Sequence, residues 1–348
     1  MRDHMSPEVK QAVVLVGGKG TRLRPLTDTM PKPILPVLDR PCLSYLIGSM
    51  AEAGISEVIM ACGYRSDQLT EAIGDGSDLG IEITYSYEDE PRGTGGAIKL
   101  VEDRLDEVFV AANGDVFADI SLKGQIAAHM RTGAAATIAL TEVRDPCEYG
   151  IVGMDGTGRI DRFKEKPEPE EAFSNMINAG VYVFDRKVIG DIPADVFHDL
   201  SKDLFPLLLE RGDRMQGYVL DGTWRDVGRP SDLLGANLVM ASKRYGDMIW
   251  GGKGIVDSDT RSPFYLGAEA RLVGSSATGA VIMAGSRVCD SQVTNSLIMR
   301  DCTVDGARIE NSIVGDGCTV MPGAVVSNRV LGHGTVFGEG DVGGPEVF

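Results

Sequence analysis

The sequence is poor in the residues that build metal clusters and covalent cross-links. It contains four histidines and six cysteines in 348 residues, and Cys42, Cys62, Cys147, Cys289, Cys302 and Cys318 are spread without a single C-x-x-C pair. That spacing excludes a zinc-ribbon or dithiol motif and leaves buried, reduced thiols. No apolar run approaches the roughly 20 residues of a membrane span, and no charged-then-apolar leader opens the chain. The expectation is a cytoplasmic protein without a membrane partner. Positive charge is also scarce: 34 Lys and Arg stand against 51 Asp and Glu, for a formal net charge of −17. Nucleic-acid affinity comes largely from neutralising phosphates with Lys and Arg, so no nucleic-acid partner is expected. The charges are interspersed rather than in blocks, which argues against a disordered tail and reads as solubility.

Against that acidic background, cations concentrate in one place. Val14-Leu-Val-Gly-Gly-Lys-Gly-Thr-Arg-Leu-Arg-Pro-Leu-Thr27 is followed at once by Met30-Pro-Lys-Pro-Ile34. Ala12 to Val16 is a short unbroken apolar run, as expected for a parallel strand covered on both faces. The turn after it therefore lies at a carboxyl edge, where open α/β sheets bind ligands. Gly17, Gly18 and Gly20 let backbone N–H groups approach an anion, and Thr21, Arg22, Arg24 and Lys32 follow. The loop fits neither the Walker pattern nor the dinucleotide fingerprint, because Lys19 lies between glycines and Leu23 stands where a third glycine is required. Lys32, between Pro31 and Pro33, has a stiff backbone on each side and suits contact with an α-phosphate, while Arg22 suits the β and γ groups.

Strand and helix patterns alternate through the first two thirds of the chain. A helix is expected from Pro41 to Ala53 with Gly54 as its stop, strands at Glu57 to Ala61, Ile81 to Tyr85 and Val108 to Ala112, and a helix opening at Gly93-Thr94-Gly95-Gly96. This alternation predicts a doubly wound, mostly parallel Rossmann-like α/β sheet. Ala134 to Phe184 is richer in short strands and suits a lid or sugar-binding region. Past Trp250 helical patterns vanish and aliphatics recur six residues apart, in Leu266/Leu272, Ile282/Val288, Ile298/Val304 and Val314/Val320/Val326, with slips between the groups. A six-residue period indicates a parallel β-helix. The domain reading is an extension over 1–10, an α/β domain over 11–245 and a β-helix over 251–348. The β-helix is expected to mediate self-association as a homo-oligomer and to leave the chemistry to the first domain.

The loop and six further segments occur in an order that resembles the sugar-nucleotide pyrophosphorylases: Glu88-Asp-Glu-Pro-Arg-Gly-Thr-Gly-Gly-Ala97, Asn113-Gly-Asp115, Glu148-Tyr-Gly-Ile151, Gly158 to Pro167, Asn175 to Tyr182 and Trp224-Arg-Asp-Val-Gly228. The resemblance spans residues 11 to about 240 and is strongest to guanylyltransferases acting on mannose 1-phosphate. The tail resembles the left-handed β-helices appended to many members. The implied reaction is in-line attack of a sugar 1-phosphate on the α-phosphorus of a nucleoside triphosphate, with pyrophosphate leaving. The nucleophile is already an anion, so the problem is electrostatic and no general base is required.

The resemblance assigns the Mg²⁺ ligands to Asp115 and Asp226, a carboxylate pair of the kind a hard cation takes. It assigns the sugar and its phosphate to Gly150, Glu165, Lys166 and Asn178, and the nucleotide to the glycine loop with Glu88, Gly93 and Thr94. Glu88 stands where thymidylyl and uridylyl relatives use Gln. An ionised carboxylate only accepts, and guanine offers adjacent N1–H and N2–H₂ donors, so GTP is favoured as the triphosphate. Arg92, where relatives commonly carry Leu, and Gly95-Gly96, which also resembles guanylyltransferases for heptose 1-phosphate, leave the sugar open. Two rivals of other classes remain: a non-catalytic regulatory subunit that binds nucleotide sugar, and an acyltransferase using His333, the only histidine of the tail. His129 and His198 show no partner pattern.

Overall fold

A computed structural model describes residues 8–18, 20–63, 66–245 and 254–348. Most of the expected extension, Lys19 and Trp250 lie outside the described residues. The chain divides into two compact units, Met1–Gly18 with Leu43–Trp224, and Lys19–Cys42 with Arg225–Phe348. The compositional change near residue 250 is thus not where the units part. The segment bearing Arg22 and Lys32 belongs with the tail.

In the first unit, strand β1 (Gln11–Val16) is buried at every position, which is why it reads as an uninterrupted apolar run. Helix α1 (Cys42–Ala53) leads to β2 (Glu57–Cys62), then α2 (Ser66–Ile73), β3 (Glu82–Tyr87), α3 (Gly93–Lys99) and β4 (Val108–Asn113). β5 (Val116–Ile120) and α4 (Lys123–Thr132) follow, and then β6 (Ala136–Glu142), β7 (Gly150–Met154), β8 (Ile160–Glu165) and β9 (Met176–Asp185). The unit continues through α5 (Phe205–Arg211) and β10 (Met215–Val219).

The sheet runs in the order β8-β7-β9-β4-β1-β2-β3, with β6 beside β9 and β10 beside β6. Its heart, β4-β1-β2-β3, is parallel, and β9 lies antiparallel to β4. The sheet is therefore mixed, with the parallel strands placing the ends of β1, β2 and β4 at one edge. Phe109, Tyr182, Phe184 and Phe205, all almost fully buried, form the aromatic centre of the core. Helices α2, α4 and α5 add to the alternation read from sequence.

In the second unit the tail is a parallel β-helix. Residues 276–282, 292–298 and 313–314 stack in parallel register on one side, and 271–273, 287–289 and 303–305 on another. Successive coils are offset by 16 residues between Ile282 and Ile298 and by 17 between Val314 and Leu331. The inward aliphatics explain the slips in the six-residue period. Ile282, Val288, Val293 and Ile298 are all buried in one core, so one face takes a six-residue step and the other two take five. Where the step stays six twice, the triplet Val314, Val320, Val326 appears.

Polar corners hold the stack. Asn295 and Asn311 adopt positive φ of 44° and 49°, a conformation Asn tolerates better than most residues, and the Nδ2 of Asn295 donates to Oδ1 of Asn311 at 2.7 Å. Helix α6 (Pro230–Tyr245) packs on the β-helix strands Asp259–Leu266 and Ser276–Ile282.

Candidate functional site

A cavity of about 300 Å³ opens in the first unit, at the carboxyl ends of its parallel strands. Gly17 and Gly18 after β1, Ala61 of β2, Asn113 at the end of β4 and Asp115 just after it, Glu88 of the β3–α3 connection, and Gly93 and Thr94 at the start of α3 line it. The turn carrying Asp115 is anchored to β1 by the N–H of Gly114, which donates to the carbonyl of Leu15 at 2.8 Å. A larger cavity of about 460 Å³ lies at the other edge, beside Val108 and Asp185. Its lining sets Glu102, Asp103, Glu107 and Asp185 against Arg186 and Lys187, an acidic surface away from the glycine turn that suits no phosphate, so size does not make it the site.

Glu88 is the distinctive group of the edge cavity. Its backbone N–H is tied to the carbonyl of Cys62 at 3.1 Å, while Oε1 is buried with no hydrogen-bond partner among the described residues. Burial raises the carboxyl above its ordinary range, against the opposing charge of Arg92. The neighbouring Cys62 thiol is pushed up to about 12 by burial and then by Glu88, so it is a neutral packing group and no nucleophile.

One wall of the cavity is a clasp absent from the sequence reading. The carbonyl of His198 accepts from the N–H groups of Gly95 and Gly96 at 2.8 and 3.1 Å, and the N–H of His198 donates to the carbonyl of Arg92 at 2.9 Å. Arg92 also pairs with Asp195. The Thr94 hydroxyl donates to Asp199 at 3.2 Å and accepts from the N–H of Leu200 at 2.9 Å. Gly93 is required here: its φ is +75° and a β-carbon would stand 2.6 Å from the His198 carbonyl oxygen. The clasp presents Phe197, 68% exposed, at the cavity. The signal for it was faint, a lone Asp199 ahead of an apolar run, where it caps Ser201 and Lys202.

The residues assigned to the sugar gather on neighbouring strands. Gly150 and Glu165 are register partners of β7 and β8, and a β-carbon on Gly150 would lie 2.7 Å from Oε2 of Glu165. Burial, and then the charge of Asp199, raises the Glu165 carboxyl, with Lys166 and Lys202 opposing. Lys166 is exposed, at a positive φ of 45°, and its N–H donates to the carbonyl of Tyr149 at 2.9 Å. Asn178, at the irregularity of β9, donates to the Tyr182 hydroxyl at 3.0 Å and to Ser201 at 3.4 Å. Trp224 donates to the carbonyl of Ala179 at 2.8 Å and stands edge-on to Tyr149. Asp199 and Ser201 thus join the Thr94 side of the unit to its Glu165 and Asn178 side.

The cations sit in the second unit. Gly20, at φ 60°, enters the turn Thr21–Leu23, and its carbonyl accepts from the Thr27 hydroxyl at 2.7 Å. Lys32 is 6% exposed, and its Nζ lies 3.3 Å from Oδ1 of Asp226, while Arg22 stands 4.0 Å from Oδ2. A lysine is rarely buried unless paired, so Asp226 accounts for the position of Lys32. Asp115 and Asp226 offer hard carboxylate oxygens that fit Mg²⁺ chemically, and phosphate oxygens would complete such a set. Among the described residues no group of three or more His, Cys, Asp or Glu side chains could hold a metal alone.

His129 and His333 are held by hydrogen bonds. Nδ1 of His129 lies 3.0 Å from the Thr137 hydroxyl in the core. In the β-helix, Nδ1 of His333 accepts from the N–H of Asp316 at 2.9 Å, so Nε2 carries the proton and faces the carbonyl of Leu26 at 3.2 Å. With both ring nitrogens engaged, His333 is no general base, which removes the basis of the acyltransferase alternative.

A mixed sheet with a parallel heart, a glycine turn and a carboxylate-lined cavity at its carboxyl edge, followed in sequence by a β-helix, defines an α/β protein with a ligand cavity and a hexapeptide tail. Residues 11–243 match the family described as nucleotidyl transferase, and residues 267–346 match the GlmU-like, C-terminal hexapeptide family. The chain belongs to the nucleotidyl transferase family. It is 41% identical over 232 residues to a mannose-1-phosphate guanylyltransferase of Mycobacterium tuberculosis, covering 66% of this chain and 64% of the relative. It is 39% identical over 230 residues to a mannose-1-phosphate guanyltransferase of Candida albicans, covering 64% of this chain and 62% of the relative. The chain thus spans under two thirds of the length of these relatives. Among solved structures it resembles HddC from Yersinia pseudotuberculosis complexed with GMP-PN, at 26% identity and a TM-score of 0.57, covering 67% of this chain and all of that one.

Proposed function

We propose that the protein transfers a guanylyl group from GTP to mannose 1-phosphate, giving GDP-mannose and pyrophosphate. The observation that carries this reading is Glu88 Oε1, a buried acceptor with no partner among the described residues, lining the same cavity as Gly17 and Gly18. Guanine offers two adjacent donors to such a carboxylate, whereas a pyrimidine offers one donor between carbonyls that a carboxylate repels. The names of the two guanylyltransferase relatives support the same base and sugar.

In this reading an oxygen of the sugar phosphate bonds to the α-phosphorus as the bond to pyrophosphate breaks, in line. Lys32 meets the charge at the α-phosphate and Arg22 that on the β and γ groups. Glu165 accepts from a sugar hydroxyl, with Gly150 and Asn178 beside it, and Lys166 meets the sugar phosphate. Asp115 and Asp226 would hold Mg²⁺, which would supply neutralisation of phosphate charge. We also read the protein as cytoplasmic and as a homo-oligomer through the β-helix. All six cysteines are free thiols, which supports a reducing compartment, and among the described residues no helix is long and apolar enough to cross a membrane.

Purified protein with Mg²⁺, GTP and mannose 1-phosphate should form GDP-mannose and pyrophosphate. A higher kcat/KM for UTP or dTTP with glucose 1-phosphate would overturn the base assignment, and a higher value with heptose 1-phosphate the sugar. Nucleotide-sugar binding without turnover by any pair would favour the regulatory subunit. Light scattering of the full chain, giving the mass of one subunit, would remove the oligomer.

A further inference from the structure

The second unit joins the segment bearing Arg22 and Lys32 to the β-helix through polar contacts with little other purpose. Asp39 is the hub. Its Oδ2 accepts from the Tyr265 hydroxyl at 2.6 Å and its Oδ1 from the N–H of Ala284 at 2.9 Å, while the Arg300 guanidinium donates to its carbonyl at 3.0 Å. These partners come from three successive coils of the β-helix. At the other end of the segment, His333 Nε2 donates to the carbonyl of Leu26, and Gly332 lies against Pro25, where a β-carbon would stand 3.2 Å from the proline ring. Helix α6 supplies the middle tie. Asn237, fully buried, accepts from the N–H of Leu38 at 2.7 Å and donates to the carbonyl of Pro36 at 3.2 Å.

We propose that the β-helix is the positioning platform of the phosphate-binding segment, with Tyr265, Arg300 and His333 as positioning residues that fix Arg22 and Lys32. The proposal rests on the reading in which those two cations act on the triphosphate. Between Gly20 and Pro41 the segment contains only three short 3₁₀ turns and a two-residue hairpin, so its own backbone hydrogen bonds are few. Such a stretch does not hold two long side chains still, and a misplacement of about 1 Å costs on the order of 10²-fold in rate. Fastening the segment at Leu26 and at Asp39 brackets Lys32, and the Leu26 tie lies four residues, about one turn, beyond Arg22. The tail is then part of the catalytic apparatus as well as an assembly surface.

The test uses the full chain. Tyr265→Phe and His333→Ala should each lower kcat by about three- to tenfold, with KM for mannose 1-phosphate and the melting temperature little changed. His333→Gln, whose side-chain amide can still donate to the Leu26 carbonyl, should recover most of the loss. In a Lys32→Ala background, His333→Ala should cost far less than in the wild type, because the cation it positions is gone. Hydrogen exchange of the amides of residues 20–38 should quicken in both single variants. Unchanged kcat and unchanged exchange would overturn the proposal, as would full additivity with Lys32→Ala. A wild-type protein with no transfer activity would instead defeat the functional reading, and accelerated exchange in the variants would then still report the platform.

Discussion

The two units treat buried polarity in opposite ways. Among the described residues, three buried side-chain atoms lack a hydrogen-bond partner, Glu88 Oε1, Gln125 Oε1 and His198 Nδ1, and all three belong to the first unit. In the second unit polar groups are mutually satisfied: Lys32 and Arg22 face Asp226, Asp39 is held by Tyr265 and Arg300, and serine hydroxyls accept from the next coil, Ser275 from the N–H of Ser291 and Ser296 from the N–H of Ser312. An unpaired buried acceptor costs about 1–3 kcal/mol. Where the cost is concentrated in a cavity, a ligand that supplies the missing donor recovers it. Of the three, Glu88 alone lines the edge cavity, where a ligand donor can reach it, whereas the second unit pairs its charges internally.

The sharpest way to break this contrast is to remove the fixed charges. Lys32→Ala, Asp115→Ala and Asp226→Ala should each lower kcat by on the order of 10²-fold or more, as expected for lost stabilisation of charge in the transition state. Asp226→Ala carries an added consequence, since it also strips the buried Lys32 of its counter-charge. Its Mg²⁺ dependence should change along with kcat. Near-wild-type turnover in any of the three would remove that residue from the machinery.

A smaller effect is expected at the unsatisfied side. Glu88→Gln replaces an acceptor-only group with one that also donates, so the preference for GTP over UTP should fall by about ten- to a hundredfold in kcat/KM. Thermal stability should hold or rise, because burial already disfavours the ionised carboxyl. An unaltered preference would mean that backbone groups read the base. Lys166→Ala should raise KM for mannose 1-phosphate by about tenfold and leave KM for GTP alone, the loss of one charge-assisted contact. Equal changes in both constants would place Lys166 elsewhere in the reaction.

Those groups were legible to different degrees, for physical reasons. β1 and its glycine turn could be read because both faces of the strand are buried, which imposes an apolar run on the sequence itself. The β-helix could be read because each face repeats one inward aliphatic, and even its slips encode five-residue faces. The clasp around His198 was barely legible, through Asp199 alone. Its bonds run through backbone atoms of His198, Gly95 and Gly96, and a carbonyl carries no residue identity. Asp39 escaped notice for another reason: its partners lie more than 200 residues away, in a tail read as a separate domain. The grouping of residues 19–42 with the tail follows from such contacts and has no local signature.

The contrast predicts one more separation, between groups that tune binding and groups that tune stability, and His129 tests it. This histidine is buried in α4 but partnered by Thr137, and burial lowers its pKa to about 4, against the opposing charge of Asp185. In the unfolded chain the group titrates near 6.5. Between those values the unfolded state holds a proton that the folded state does not, so stability is full above about pH 6.5 and falls as the pH falls toward 4. Lowering the pH from 7.5 to 5.5 should therefore cost on the order of 1 kcal/mol through this group alone. His129→Gln lacks that component, so its urea midpoint should move less than the wild type's over the same interval, while KM for GTP stays level in both. Equal shifts in the two proteins would show that another group titrates, and a change in KM confined to the variant would show that a satisfied core residue does reach the site.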